Sequence, residues 1–196
     1  MTRTIAIVIF EDAEELDWVG PWEVFTMLSQ VEPGSCNVFT VSEHGGEVRC
    51  AKGLRVLADH SFESAPPADV ILIPGGQGTR REVDNQPMLD FVKRMDQGAE
   101  LTTSVCTGSF ILEKTGLLDG KRVTTHWGSI DRLRQRGTVN VVDDERYVDE
   151  GHFITAAGVS AGIDMSLHIV GRLWSPDIAR KVQKAMEYYP QPPYAD

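Results

Sequence analysis

Short unbroken apolar runs alternate along this chain with segments whose apolar positions recur at helical spacing. Ile5-Ala6-Ile7-Val8-Ile9-Phe10 shows no polar alternation, the pattern of a strand covered on both faces. Asp69 to Ile73 reads as a second buried strand, and Asn37 to Val41, Leu101 to Val105 and Lys121 to Thr125 as further strands. Between them the chain predicts helices. One starts near Asp17, with Pro21 in its first turn and Trp22, Val24, Phe25 and Leu28 as apolar positions; one runs from about Gln86 to Gln97; one is opened by Thr107 and stops near Gly116. Ser129 to Arg136 reads as a polar helix and Ala161 to Leu173 as an amphipathic to buried one. Pro176 starts the last helix, and Pro190, Pro192 and Pro193 forbid its continuation. Strands alternating with helices predict an α/β fold with a mostly parallel sheet. Two hairpins interrupt the alternation. Gly45 to Leu57 reads as a small one at a sheet edge, and Tyr147-Val148 and His152 to Thr155 flank the turn sequence Asp149-Glu150-Gly151.

Composition narrows the picture. The 196 residues, 41% hydrophobic and 24% charged, suit one α/β domain spanning 1–196, and nothing marks an internal boundary. A formal charge of −10, with Arg and Lys scattered among acids, argues against nucleic acid as a partner. No apolar run is long enough to span a membrane, and the opening Met1-Thr2-Arg3-Thr4 with its short apolar stretch does not form a signal peptide. Cys36, Cys50 and Cys106 are odd in number and show no CxxC or metal-ligand spacing, so neither a disulfide framework nor a metal site is expected. A reducing cytoplasm fits this cysteine usage.

In open parallel sheets, ligands bind outside the carboxyl ends of the strands. Cys106 falls there, on a strand-to-helix turn inside Thr103-Ser104-Val105-Cys106-Thr107-Gly108-Ser109, with Ser104 and Gly108 small enough for a nucleophile elbow. A helix N-terminus is expected to favour its thiolate and lower its pKa. Cys36 and Cys50 lack that setting and read as structural. Pro74-Gly75-Gly76 follows another strand, and Gly75 or Gly76 with the N–H of Thr107 can form an anion-stabilising hole. Asp17 is either a helix cap or a carboxyl group that shuttles a proton to and from the thiol. Glu15 is a second carboxylate candidate, although a solvated surface role suits it and Glu14. His126, at the end of Thr124-Thr125-His126, is either a base for Cys106 or a structural histidine, and His44, His60, His152 and His168 read as surface or packing residues. Trp18 and Trp127 either wall an apolar pocket or fill the core.

These residues resemble the DJ-1/PfpI superfamily and, within it, the isonitrile hydratases. The resemblance covers nearly the whole chain. It rests on Glu15-Leu16-Asp17-Trp18-Val19-Gly20-Pro21, Ile73-Pro74-Gly75-Gly76, the Cys106 segment, Gly116-Leu117-Leu118-Asp119-Gly120-Lys121-Arg122, Thr124-Thr125-His126-Trp127, Gly158-Val159-Ser160-Ala161-Gly162-Ile163-Asp164 and Glu187-Tyr188-Tyr189-Pro190. It implies a flavodoxin-like three-layer sandwich, a homodimer, a small-molecule substrate and no cofactor. Cys106 matches the family nucleophile, Asp17 the hydratase's acid/base carboxylate, and Thr107 a residue beside the nucleophile. Ligand-sensing domains of AraC-type regulators share most of these motifs but carry a C-terminal DNA-binding domain, which is not expected in a chain ending at Asp196. Peptidase-like and glyoxalase-like branches have a glutamate near the first helix and often a histidine after the cysteine. Asp17 and Thr107 at those places argue against their activities. The implied reaction is hydration of an isonitrile to a formamide. The alternatives are a non-catalytic ligand or oxidation sensor acting through Cys106, and a glyoxalase-like hydratase of 2-oxoaldehydes.

Overall fold

Apolar runs that can face water on neither side must lie inside a sheet, and the strongest of them do. The computed structural model describes residues 2–191, 193 and 194; Met1, Pro192, Ala195 and Asp196 lie outside the described residues, and with them the part given to Pro192 in ending the last helix. In chain order the elements are β1 (Arg3–Val8), α1 (Glu15–Val31), β2 (Cys36–Ser42), β3 (Gly46–Arg49), β4 (Arg55–Ala58), β5 (His60–Ser61), β6 (Val70–Ile73), α2 (Thr79–Glu82), α3 (Gln86–Asp96), β7 (Leu101–Val105), α4 (Gly108–Lys114), β8 (Arg122–Val123), a 3-10 turn (Trp127–Ser129), α5 (Ile130–Arg134), β9 (Asn140–Val141), β10 (Tyr147–Glu150), β11 (Phe153–Ala156), α6 (Ala161–Leu173) and α7 (Pro176–Ala185).

The main sheet runs in the order β10-β11-β7-β6-β1-β2-β5. Every pair in it is parallel except β10 with β11. Strands β6 and β7 are buried along their whole length, so both sheet faces are covered. One cover is the group α1, α6 and α7, which pack on one another; the other includes α2, α3 and α4. This is the expected α/β sandwich with a mostly parallel central sheet. Ile5, Ile7, Ile71, Leu72 and Ile73 are wholly buried, each worth about 1.5–3 kcal/mol of apolar burial. Among the described residues no helix is long and apolar enough to cross a membrane.

The structure departs from the sequence reading in three places that bear on the site. Helix α1 begins two residues before Asp17, which puts Pro21 inside the helix rather than in its first turn. The hairpin β3–β4 forms a two-stranded sheet of its own, and the edge of the main sheet is β5. The segment from Lys121 to Thr125 yields only the two-residue β8, paired with β9 off the main sheet. Side-chain hydroxyls account for that shortening: the Thr124 N–H donates to Thr155 Oγ1 at 3.0 Å and the Thr125 hydroxyl to the Cys106 carbonyl at 2.8 Å, so this stretch docks on the sheet instead of extending it.

Candidate functional site

Cys106 is the first residue beyond β7 and the last but one before α4. It has φ 55°, the left-handed region, which a residue with a side chain occupies at a cost of about 1–3 kcal/mol unless its surroundings impose it. Here they do. The Cys106 N–H donates to the carbonyls of Ala156 (3.1 Å) and Ala157 (2.8 Å), and its carbonyl accepts the hydroxyls of Thr125 (2.8 Å) and Ser109 (3.1 Å). Gly108 is required next, because a Cβ there would strike the Ile73 carbonyl and come within 2.8 Å of the Pro74 carbonyl. The strand-turn-helix elbow is therefore fixed on every side.

The loop after β6 closes over this turn. A Cβ at Gly75 would lie 2.7 Å from Thr107 Oγ1 and 2.8 Å from Cys106 Cβ, so only glycine permits the approach. The Gly75 N–H donates to Asp17 Oδ2 at 2.8 Å, and the Gly76 N–H to Thr107 Oγ1 at 3.1 Å. The two glycine N–H groups suggested for an anion hole are thus occupied within the chain. Their observed work is to hold Asp17 and Thr107, which leaves the Thr107 N–H beside the Cys106 sulfur.

Asp17 is wholly buried. Its cap-like position gives way to a tertiary one, since the residue capping α1 is Glu14. Among the described residues Asp17 Oδ1 completes no well-formed hydrogen bond; besides Gly75, the carboxyl faces the Cys106 thiol and the Val159 N–H. Burial, opposed by the Gly75 N–H, pushes the Asp17 carboxyl up to about 7. Burial also pushes the Cys106 thiol up to about 12, with the Asp17 charge adding and the Thr107 N–H and hydroxyl opposing. The expected lowering at the helix N-terminus is therefore reversed. Helix α4 has only seven residues, and the thiol is 7% exposed, so desolvation outweighs the helix end.

The remaining candidates separate from this pair. Glu15 is half-buried and engaged rather than freely solvated: its Oε1 accepts the Lys52 N–H at 2.6 Å, and Glu14 pairs with Lys52 Nζ, so both anchor the hairpin onto the start of α1. His126 accepts the Gly128 N–H on Nδ1 at 3.2 Å and packs its ring against Gly158; among the described residues it makes no hydrogen bond to Cys106. Trp18 is in the core at 5% exposure, whereas Trp127 is 82% exposed, so the two wall no common pocket. His152 and His168 pair with Asp96 and Asp149, both at 2.7 Å. Cys36 and Cys50 are free and buried.

Three site residues escaped the sequence reading as site residues. Thr79 Oγ1 lies 3.0 Å from Thr107 Oγ1 and donates to the Gly76 carbonyl at 2.7 Å. Thr125 holds the Cys106 carbonyl, and Val159 turns its N–H to Asp17 from a left-handed backbone at φ 49°. The signals were present, in Gly78-Thr79, Thr124-Thr125 and Gly158-Val159-Ser160, but each acts across the fold.

Residues 3–172 match the DJ-1/PfpI family. The chain belongs to that family. It is 37% identical to the isonitrile hydratase of Pseudomonas putida over 194 residues, which are 99% of this chain and 82% of that protein. It is 29% identical over 144 residues, 74% of this chain, to the HTH-type transcriptional regulator CdhR of Pseudomonas aeruginosa, of which the match covers 43%. The crystal structure of a THiJ/PfpI family protein from Pseudomonas syringae superposes with a TM-score of 0.90 at 31% identity, covering 99% of this chain and 78% of that one.

Proposed function

We propose that this protein hydrates isonitriles, R–N≡C, to N-substituted formamides, with Cys106 as nucleophile and Asp17 as the proton carrier. The observation that carries this reading is the buried pairing of the two groups, in which a carboxyl poised near neutral pH faces a thiol that cannot ionise unaided. The likeness to the Pseudomonas putida isonitrile hydratase over nearly the whole chain supports the choice of substrate.

The chemistry follows from the pairing. Ionised Asp17 takes the thiol proton as the sulfur attacks the terminal isonitrile carbon, and returns it to that carbon, giving a thioimidate, R–N=CH–S–Cys106. Asp17, ionised again, accepts a proton from water as the water oxygen adds to the same carbon. That proton passes to the nitrogen, the C–S bond breaks, the sulfur takes the hydroxyl proton, and R–NH–CHO leaves. Water is the only co-reactant. Thr107 steadies the sulfur through its N–H and hydroxyl, while Gly75 and Gly76 hold Asp17 and Thr107 in register. A linear isonitrile end is slim enough to reach a thiol that is only 7% exposed. The reading includes a single domain over 1–196, a reducing cytoplasmic setting in keeping with three free cysteines, and the homodimer that the family resemblance implies.

The test is formamide formation across a panel of alkyl and aryl isonitriles, followed by mass spectrometry. Wild type should turn over at least one member, and folded Cys106→Ala should form no formamide; turnover retained by Cys106→Ala overturns the reading. Lactate from methylglyoxal without isonitrile turnover would point instead to a 2-oxoaldehyde hydratase, and peroxide oxidation of Cys106 without any turnover to a sensor.

A further inference from the structure

A cleft between α2, α4 and α5 gathers positive charge in a chain whose formal charge is −10. Thr79, Arg80, Val83, Phe110, Arg132 and Arg136 line a cavity of about 230 Å³. Among the described residues no carboxylate lines it. The sequence neighbours Arg81 and Arg134 are ion-paired, to Glu82 and Asp143, whereas Arg80 and Arg132 make no ion pair or side-chain hydrogen bond among the described residues.

The arginines are also held in place. The Arg132 guanidinium lies 4.2 Å over the Phe110 ring, an arrangement that fixes its plane and leaves its N–H edge free. Arg136 gives Nε (2.9 Å) and a terminal nitrogen (2.7 Å) to one oxygen of the buried Glu113, and the other oxygen takes the Thr138 hydroxyl at 2.8 Å. Both oxygens of Glu113 are thus engaged by Arg136 and Thr138, and neither Arg80 nor Arg132 bonds to it among the described residues. Burial, with the charges of Arg80 and Arg136 adding, pulls the Arg132 guanidinium below its usual range, as expected of cations crowded without a counter-ion. Three guanidinium groups against one committed carboxylate leave an excess of two positive charges. A phosphate group, dianionic or nearly so at neutral pH, matches that excess better than a carboxylate does, and its oxygens fit the forked donors.

We propose that this cleft is a phosphate-binding site in which Arg80 and Arg132 supply the hydrogen-bond donors and the two uncompensated charges, beside the Arg136–Glu113 pair. Inorganic phosphate and the phosphate of a monoester present the same chemistry, and the test separates them. Titration calorimetry at constant ionic strength with inorganic phosphate and, separately, glycerol phosphate should show saturable binding of at least one, at one site per chain. The double variant Arg80→Gln/Arg132→Gln, checked for folding by circular dichroism, should bind about tenfold or more weakly, the loss expected when charge-assisted hydrogen bonds are removed. Arg55→Gln, at a surface pair with Glu47, should bind as wild type does. Binding of the monoester alone assigns the site to an esterified phosphate; binding of inorganic phosphate assigns it to the free ion. No saturable binding of either at millimolar concentration, or equal binding by the double variant, overturns the proposal.

Discussion

Cys36 and Cys106 are both nearly buried, at 5% and 7% exposure, yet they sit at opposite ends of their strands and in opposite chemistry. Cys36 opens β2 and points its sulfur at the Phe25 carbonyl (3.3 Å) and Ser29 Oγ (3.2 Å). Cys106 follows β7 and faces Asp17 and Thr107. Burial raises both thiols. A low pKa therefore does not distinguish them. The difference is that a carbonyl and a hydroxyl cannot remove a thiol proton at neutral pH, whereas the Asp17 carboxylate can. In the proposed mechanism reactivity belongs to the pair, which the parallel sheet brings together by placing α1 and the loops after β6 and β7 at one edge.

Asp17→Asn tests that comparison most severely, because it keeps the oxygen that accepts from Gly75 and removes only the proton acceptor. Isonitrile turnover should fall about 10²–10⁴-fold, the usual worth of a positioned acid/base group, and Cys106 should alkylate no faster than Cys36. Rapid alkylation of Cys106 in this variant would separate reactivity from the pair. The pH dependence has a definite sign. Wild-type kcat/KM should rise as pH passes through about 7, where Asp17 ionises, and the variant should lack that limb. Stability should move the other way. The folded pKa lies above the ordinary 3.8, so the native state binds the proton more tightly, and this contribution is full below pH 3.8 and lost as pH rises through about 7. Denaturant melts at about pH 4 and about pH 8 should therefore show wild type losing ground to Asp17→Asn at the higher pH.

Gly75→Ala comes next in size. Its Cβ would press on Thr107 Oγ1 and Cys106 Cβ, and moving the loop would also pull the Gly75 N–H off Asp17. Destabilisation of about 1–3 kcal/mol, typical of overpacking, should appear as a lower melting temperature. Turnover should fall with it, even in the folded fraction. A folded variant with wild-type turnover would show that the loop's approach to the thiol is not needed.

The sequence made the sheet legible because β1 and β6 carry apolar runs whose pattern needs no distant information and β10 and β11 flank a turn sequence, and α6 because its apolar positions recur over Ala161–Leu173. Cys106, Asp17 and the Gly75-Gly76 loop could be placed on one edge by topology alone. What pattern could not reach was decided by contacts made across the fold. Whether Asp17 caps a helix or faces a thiol depends on the loop after β6. The direction of the Cys106 shift depends on burial that only the closed loop creates. Thr125 and Thr79 look like ordinary hydroxyl residues until their partners, the Cys106 carbonyl and Thr107, are known. Helix α2 has four residues, too few to show a period.

Cys36→Ala should have the smallest effect and sharpens the comparison from the other side. Removing the sulfur leaves a void of about one atom beside Phe25 and Ser29, worth about 1 kcal/mol or less if neighbours partly relax. Ser29 keeps its bond to the Cys36 carbonyl at 3.0 Å, so the junction of α1 and β2 stays tied. Turnover and the pH limb near 7 should both be unchanged, because nothing at this end of β2 touches the thiol turn. Loss of turnover in a folded Cys36→Ala would mean that the two ends of the sheet act together, and reactivity would then be a property of the sheet as a whole and not of the Cys106–Asp17 pair.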